Sequence, residues 1–135
     1  MTIVWNKELE TGIKVIDEQH QFIIESLSSV ETSTLEKNEL FELLTRLQAY
    51  LSVHFDVEED YMKDTDYPEY QKHKAIHDKV LEDCQDILTQ NYSNNDASKV
   101  AYKLVGYMKN WFSEHYANED VKMAEFLKQN DWKIG

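Results

Sequence analysis

The chain carries five histidines, at positions 20, 54, 73, 77 and 115. His54 is followed four residues later by Glu58, and His73 four residues later by His77. His115 is followed by Glu119 and Asp120, four and five residues on. A step of four is about one turn of α-helix, so each such pair points to one helical face. Neutral imidazole and carboxylate are good ligands for first-row transition metals, so coordination is the chemistry these spacings suggest. The question is whether the donors face solvent or one another.

The apolar pattern places them inward. Ile16, His20, Ile23, Leu27 and Val30 step by three and four. So do Leu40, Leu44, Leu47, Leu51, His54, Glu58 and Tyr61. A third stripe runs Tyr70, His73, His77, Val80, Cys84 and Ile87, and a fourth Ala97, Val100, Leu104, Met108, Trp111 and His115. Each is the seam of an amphipathic helix, and every histidine lies on one. With a seam chance of about two in seven per residue, five would coincide roughly once in 500. A single histidine on an apolar face is ordinarily a core residue satisfied by a carbonyl or carboxylate. Five of them with Glu58 would cost several kcal/mol uncompensated, against a total stability of about 5–15 kcal/mol. A bound cation offsets that cost.

Five imidazoles and one carboxylate exceed the four ligands of a structural zinc site, which suggests two ions and a second carboxylate. WFSEHYANED offers Glu114, Glu119 and Asp120. Glu119 is the natural choice on spacing. Asp120, at i+5, stands about 140° round a regular helix and needs a short reach or a loosened turn. Spacing leaves the choice open.

The elements that must position these side chains are four helices of about 15–25 residues joined by short loops, which predicts an all-α, up-down-up-down four-helix bundle. Ser33–Glu36, STLE, matches a capping box, and Asp66–Glu69, DYPE, suits a cap for the third helix with Pro68 in its first turn. The polar run NYSNND, Asn91–Asp96, separates the third and fourth stripes. An extended arm, residues 1–14, is expected to pack through Ile3, Trp5 and Leu9. The bundle is expected over about 15–118 and a tail over 119–135, with a helix near Val121–Lys128. One domain, 1–135, accommodates all of this.

Composition narrows the partners. The 135 residues include three glycines and one proline, which favours long helices. A net charge of −12 argues against nucleic acid and anionic membrane, since phosphate binding needs clustered Lys and Arg. Cys84 is the only cysteine, so neither an intrachain disulfide nor a cysteine metal cluster can form. The start, MTIVWNKELE, lacks a basic segment followed by an apolar run, and no window reaches a membrane span. A cytoplasmic protein is the expectation.

The chain resembles the hemerythrin family, specifically single-domain bacteriohemerythrins. The resemblance rests on Trp5, on GIKVIDEQH from Gly12, HFDVEEDYM from His54, YPEYQKHKAIH from Tyr67 and WFSEHYANED from Trp111. It implies a non-haem di-iron centre with ligands His20, His54, Glu58, His73, His77, His115 and Asp120, so it selects Asp120 over Glu119. Glu58 and Asp120 would bridge the irons with an oxo or hydroxo group. His73, His77 and His115 would fill one iron, while His20 and His54 leave the other an open position. Dioxygen would bind reversibly there as a hydroperoxide. Ile23, Phe55, Trp111, Phe112 and Tyr116 lie within a turn of these residues and are the expected lining of a dry pocket.

Two residues depart from the family pattern. Tyr116 stands where an aliphatic residue such as Ile is usual, and a phenol there bears on the lifetime of the oxygenated state. Val80 replaces a common aromatic. The stretch from His77 to His115 is also long beside the shortest members.

The expected role is dioxygen carriage, storage, buffering or sensing rather than catalysis. Carboxylate-rich di-iron proteins carry Glu-x-x-His motifs, and this chain has none. The alternative is a di-iron oxidase or peroxidase at the same centre, motivated by Tyr116. A metal-binding regulatory module is a weaker third.

Overall fold

The computed structural model describes Trp5 and residues 7–31, 36–91 and 97–130. A short 3-10 turn, Lys7–Leu9, precedes α1 (Lys14–Glu31), α2 (Lys37–Asp64), α3 (Tyr70–Asn91) and α4 (Ala97–His115). A π turn, Tyr116–Asp120, leads from α4 into α5 (Val121–Gln129).

Cross-helix contacts give the topology. Phe22 packs on Tyr50 while His20 meets Glu58, so α2 runs against α1. Glu59 meets His77 and Gln48 meets Gln85, which reverses α3. Tyr107 bonds Asp83 while His115 meets His77, which reverses α4. With α1 also touching α4, the ring closes as the expected up-down-up-down bundle.

Each helix buries its stripe in two apolar clusters separated by a polar layer. The larger contains Ile23, Leu27, Leu44, Leu51, Phe55, Val80, Cys84, Leu104 and Met108. The smaller, at the opposite end, contains Ile13, Ile16, Met62, Tyr67, Met123, Ala124 and Leu127. Along α1, His20 falls between Ile16 and Ile23; along α2, Glu58 falls between Phe55 and Met62. The smaller cluster is completed by α5, which lays Met123, Ala124 and Leu127 across the open end of the bundle.

The start of α1 is tied down from two directions. Thr11 donates its N–H and hydroxyl to Asp17 Oδ1, both at 2.7 Å, and Gly12 N–H reaches Asp17 Oδ2 at 3.1 Å. Gly12 holds φ of +88°, where a side chain would be strained. Lys128 of α5 donates to the Thr11 carbonyl at 2.8 Å.

Three local expectations change. The arm is not simply extended: it winds into the 3-10 turn at Lys7–Leu9, with Trp5 and Leu9 half-buried and Ile3 outside the described residues. Ser33, Thr34 and Leu35 are also outside them, and Glu36 itself is the N-cap of α2, with φ −73°, ψ 165° and no side-chain capping bond. Pro68 precedes α3 rather than opening it. The Tyr70 N–H to Tyr67 carbonyl bond, 3.1 Å, closes a tight turn with Pro68 second, the place its fixed φ suits. Asp66, in a left-handed conformation at φ 56°, follows the C-cap Thr65 and bonds back to the Lys63 carbonyl, so it finishes α2 instead of capping α3.

Among the described residues no helix is long and apolar enough to cross a membrane.

Candidate metal centre

All five histidines, Glu58 and Asp120 meet in the layer between the two clusters. Each is at most 4% exposed. The rings turn Nε2 inward, toward two shared carboxylates. Glu58 Oε2 lies 2.9 Å from His54 and 3.2 Å from His20, while its Oε1 lies 3.2 Å from His77 and 3.5 Å from His73. Asp120 repeats the pattern: Oδ1 is 2.8 Å from His115 and 3.2 Å from His73, and Oδ2 is 3.4 Å from His20. Each carboxylate therefore presents one oxygen to the His73–His77–His115 group and the other to the His20–His54 group.

Asp120 reaches this layer because the helix loosens after His115. An i→i+5 turn brings residue i+5 back over residue i, which a regular α-turn does not. Glu119, also buried, sends Oε1 to within 3.5 Å of Lys72 on α3. The π turn is the loosened turn that Asp120 needs, and Glu119 pairs elsewhere.

The donor set fits a cation. Glu58 Oε1, Asp120 Oδ1 and His73 Nε2 are buried and make no hydrogen bond among the described residues, despite nitrogens and oxygens lying close to each. His77 Nε2 and His115 Nε2 approach to 3.2 Å. Lone pairs so crowded converge on common points rather than on one another, which suits a shared positive centre. Two groupings of potential donors emerge: Glu58, His73, His77, His115 and Asp120, and His20, His54 and Glu58.

The electrostatics agree. Burial works against a charged imidazole at His73, but facing Asp120 and Glu58 push its pKa up to about 9. His20 and His77 are raised against the same burial penalty, each mainly by Glu58. Burial wins at His54, which is lowered. Burial also opposes ionisation of Glu58, yet its imidazole neighbours, His54 foremost, hold it well below the usual carboxylate range. Asp120, penalised by burial and by Glu58, is likewise lowered by His115 and His73. The interior of the layer favours positive charge.

Four of the five residues expected to line a pocket stand against the rings, and the fifth, Ile23, lies one turn from His20. Phe55 stacks on His77 with centroids 3.8 Å apart, and Trp111 stacks on His115 at 4.4 Å. Phe112 stands edge-on to His20 at 5.1 Å, with Tyr116 at 6.3 Å. Ile23 is buried in the larger cluster, one turn from His20. The Tyr116 hydroxyl donates to the Glu10 carbonyl at 3.3 Å, an outward direction. Val80, fully buried, fills core beside Phe55 and Cys84.

Two contributors escape a reading of spacing. His54 Nδ1–H donates to the side-chain Oε1 of Gln19 at 2.7 Å, and His77 Nδ1–H to Oε2 of Glu59 at 2.9 Å. Gln19 precedes His20 and Glu59 follows Glu58, so adjacency to a donor was the only signal. Their partners lie on other helices.

Residues 11–127 match the family model described as Hemerythrin HHE cation binding domain. Relatives include a Bacteriohemerythrin of Pseudomonas aeruginosa, 28% identical over 95% of this chain and 83% of the relative. Another, from Clostridium acetobutylicum, is 26% identical over 87% of this chain and 95% of its own length. A solved crystal structure of a point mutant shares the fold with a TM-score of 0.80, at 23% identity, covering 94% of this chain and 98% of that one. With its matched span running from the α1 anchor to the end of α5, and buried imidazoles and carboxylates at its middle, this chain belongs to the hemerythrin HHE cation-binding family.

Proposed function

We propose that the layer holds two iron ions and binds dioxygen reversibly, for carriage, storage, buffering or sensing. The observation that carries this reading is the division of the donors. Five imidazoles split three to two, and two carboxylates each face both groups. His73, His77 and His115 would hold one ion, His20 and His54 the other, with Glu58 and Asp120 shared. The two-imidazole half has one donor fewer, which leaves room for a small ligand. An iron pair bound there supplies reversible electron transfer to dioxygen.

The chain's own residues do the rest. Phe55 and Trp111 fix the planes of His77 and His115 by stacking. Phe112 and the ring of Tyr116 cover the His20 side, and the two apolar clusters exclude water from above and below. The outward bond of the Tyr116 hydroxyl to Glu10 directs its proton away from the His20 side, which favours binding over the oxidase or peroxidase alternative. The N-terminal tie and α5 close the end of the bundle that holds the smaller cluster.

The test is direct. Iron-loaded protein is reduced, exposed to air, then placed under argon, with iron counted per chain. Two irons and a visible spectrum that appears in air and fades under argon support the proposal. One iron or none, or a spectrum that never fades, sinks it.

A further inference from the structure

Of the five rings, two are held from behind, one in each half of the site, and the two props differ in charge. Glu59, only 8% exposed, accepts from His77 Nδ1–H at 2.9 Å. Gln19, half-buried and neutral, accepts from His54 Nδ1–H at 2.7 Å. The outward Nδ1 atoms of His20, His73 and His115 are buried and have no hydrogen-bond partner among the described residues. Phe55 stacks on His77 at an interplanar angle of 6°, in the plane from which the ring's Nε2 reaches Glu58 Oε1 at 3.2 Å.

A group accepting from the far nitrogen fixes the tautomer of a ligand imidazole and raises the basicity of its near nitrogen. A carboxylate does this more strongly than an amide carbonyl, because hydrogen bonds to an ionised partner are roughly twice as strong. Resting on the two-ion reading above, we infer that Glu59 and Gln19 are positioning residues that make the two halves unequal. Glu59 strengthens donation from His77 and makes the three-imidazole half the tighter cation site. Gln19 orients His54 without adding charge and keeps the two-imidazole half weak enough to exchange a ligand.

Cobalt(II) alone, titrated into the cation-free full chain and followed by visible absorption, reads both halves without any oxygen chemistry. The wild type is expected to take up two ions in a tight step and a weaker one. Glu59→Gln keeps the shape and the acceptor oxygen and removes only the charge. It should weaken the tight step by about 10–100-fold, the usual effect of changing such an outer partner. A mere structural prop would leave that step unmoved. Gln19→Glu should tighten the weaker step, an opposite shift that loss of folding cannot imitate. Two ions taken up with steps that neither variant moves, or with equal steps in the wild type, would overturn this inference and leave the two-ion reading standing. Uptake of one ion or none would overturn both.

Discussion

Replacing Glu58 by Gln isolates the charge at the centre of the layer. The side chain is fully buried and its oxygens lie 2.9–3.5 Å from four imidazole nitrogens. Gln has nearly the same volume, so no cavity contribution enters. Removing one member of a buried ionic set costs about 3–5 kcal/mol. His20, His73 and His77, whose pKa values Glu58 helps to raise, can shed protons in reply, which puts the cost near the lower end, about 3 kcal/mol. An unfolding entropy of about 2.1 cal/mol/K per residue gives this chain ~0.28 kcal/mol/K, so Tm of the cation-free protein should fall by about 11 °C. Cobalt(II) at a hundredfold excess over Kd adds about 2.7 kcal/mol to the wild type, and most of that gain should vanish in the variant. Asp60→Asn, an exposed acid on the same helix, serves as the control and should stay within about ±0.5 kcal/mol. Thermal and urea unfolding with and without cobalt measure all of this. If Glu58→Gln melts with the control and gains as much from cobalt as the wild type, the claim that this carboxylate balances the layer is wrong.

Asp120→Asn should weaken cobalt uptake severely while Glu119→Gln leaves it near wild type, since only Asp120 faces the rings; the same titration decides it. In the cation-free protein the His73 pKa is raised from 6.5 to about 9, so its stabilisation is complete below pH 6.5 and lost as pH rises through 9. Urea midpoints should therefore fall over that interval while cobalt affinity rises, because the ion displaces a proton; parallel trends would contradict this. Gly106 lies inside α4 with nothing within 4 Å of where a Cβ would sit, so Gly106→Ala should stabilise by about 0.5–1 kcal/mol in urea denaturation. Inserting one alanine between Val121 and Lys122 rotates everything after it by about 100° and should cost about 3–6 kcal/mol by turning Met123 and Leu127 out of the smaller cluster, read by the same unfolding assay.

Much of the fold was legible because α-helical period is a local property. Ile16, His20, Ile23 and Leu27 announce their common face in 12 residues of sequence, and the structure buries all four. The convergence of His20, His54, Glu58, His73, His77 and His115 was legible for the same reason, since each stood on a seam; Asp120 stood on none, and only the family resemblance selected it over Glu119. Helix starts were less so. DYPE carries the residue types of a cap, but a turn beginning at Tyr67 uses Pro68 equally well, and which one forms depends on Tyr67 packing into the smaller cluster. Gln19 and Glu59 were invisible to spacing because each acts on a histidine of another helix, and the register between helices is not written in either one alone. The direction of the Tyr116 hydroxyl was hidden likewise: its partner, Glu10, is 106 residues away.

The π turn shows how the site and the fold constrain each other. A regular helix places residue i+4 over residue i, so a carboxylate at position 119 of an unbroken helix would share the face of His115 without any loosening. Reach alone therefore does not require the extra residue. What the widened turn does is absorb one extra residue, which in an unbroken helix would rotate everything after it by about 100°. With the π turn in place, Asp120 sends one oxygen to His115 and His73 and the other to His20. At the same time Met123, Ala124 and Leu127 point at Ile13, Ile16 and Met62. Without it, α5 would turn that apolar face away, exposing the cluster that shields the polar layer from below. The same single turn thus aims the last acidic side chain into the layer and seats the helix that closes the bundle beneath it.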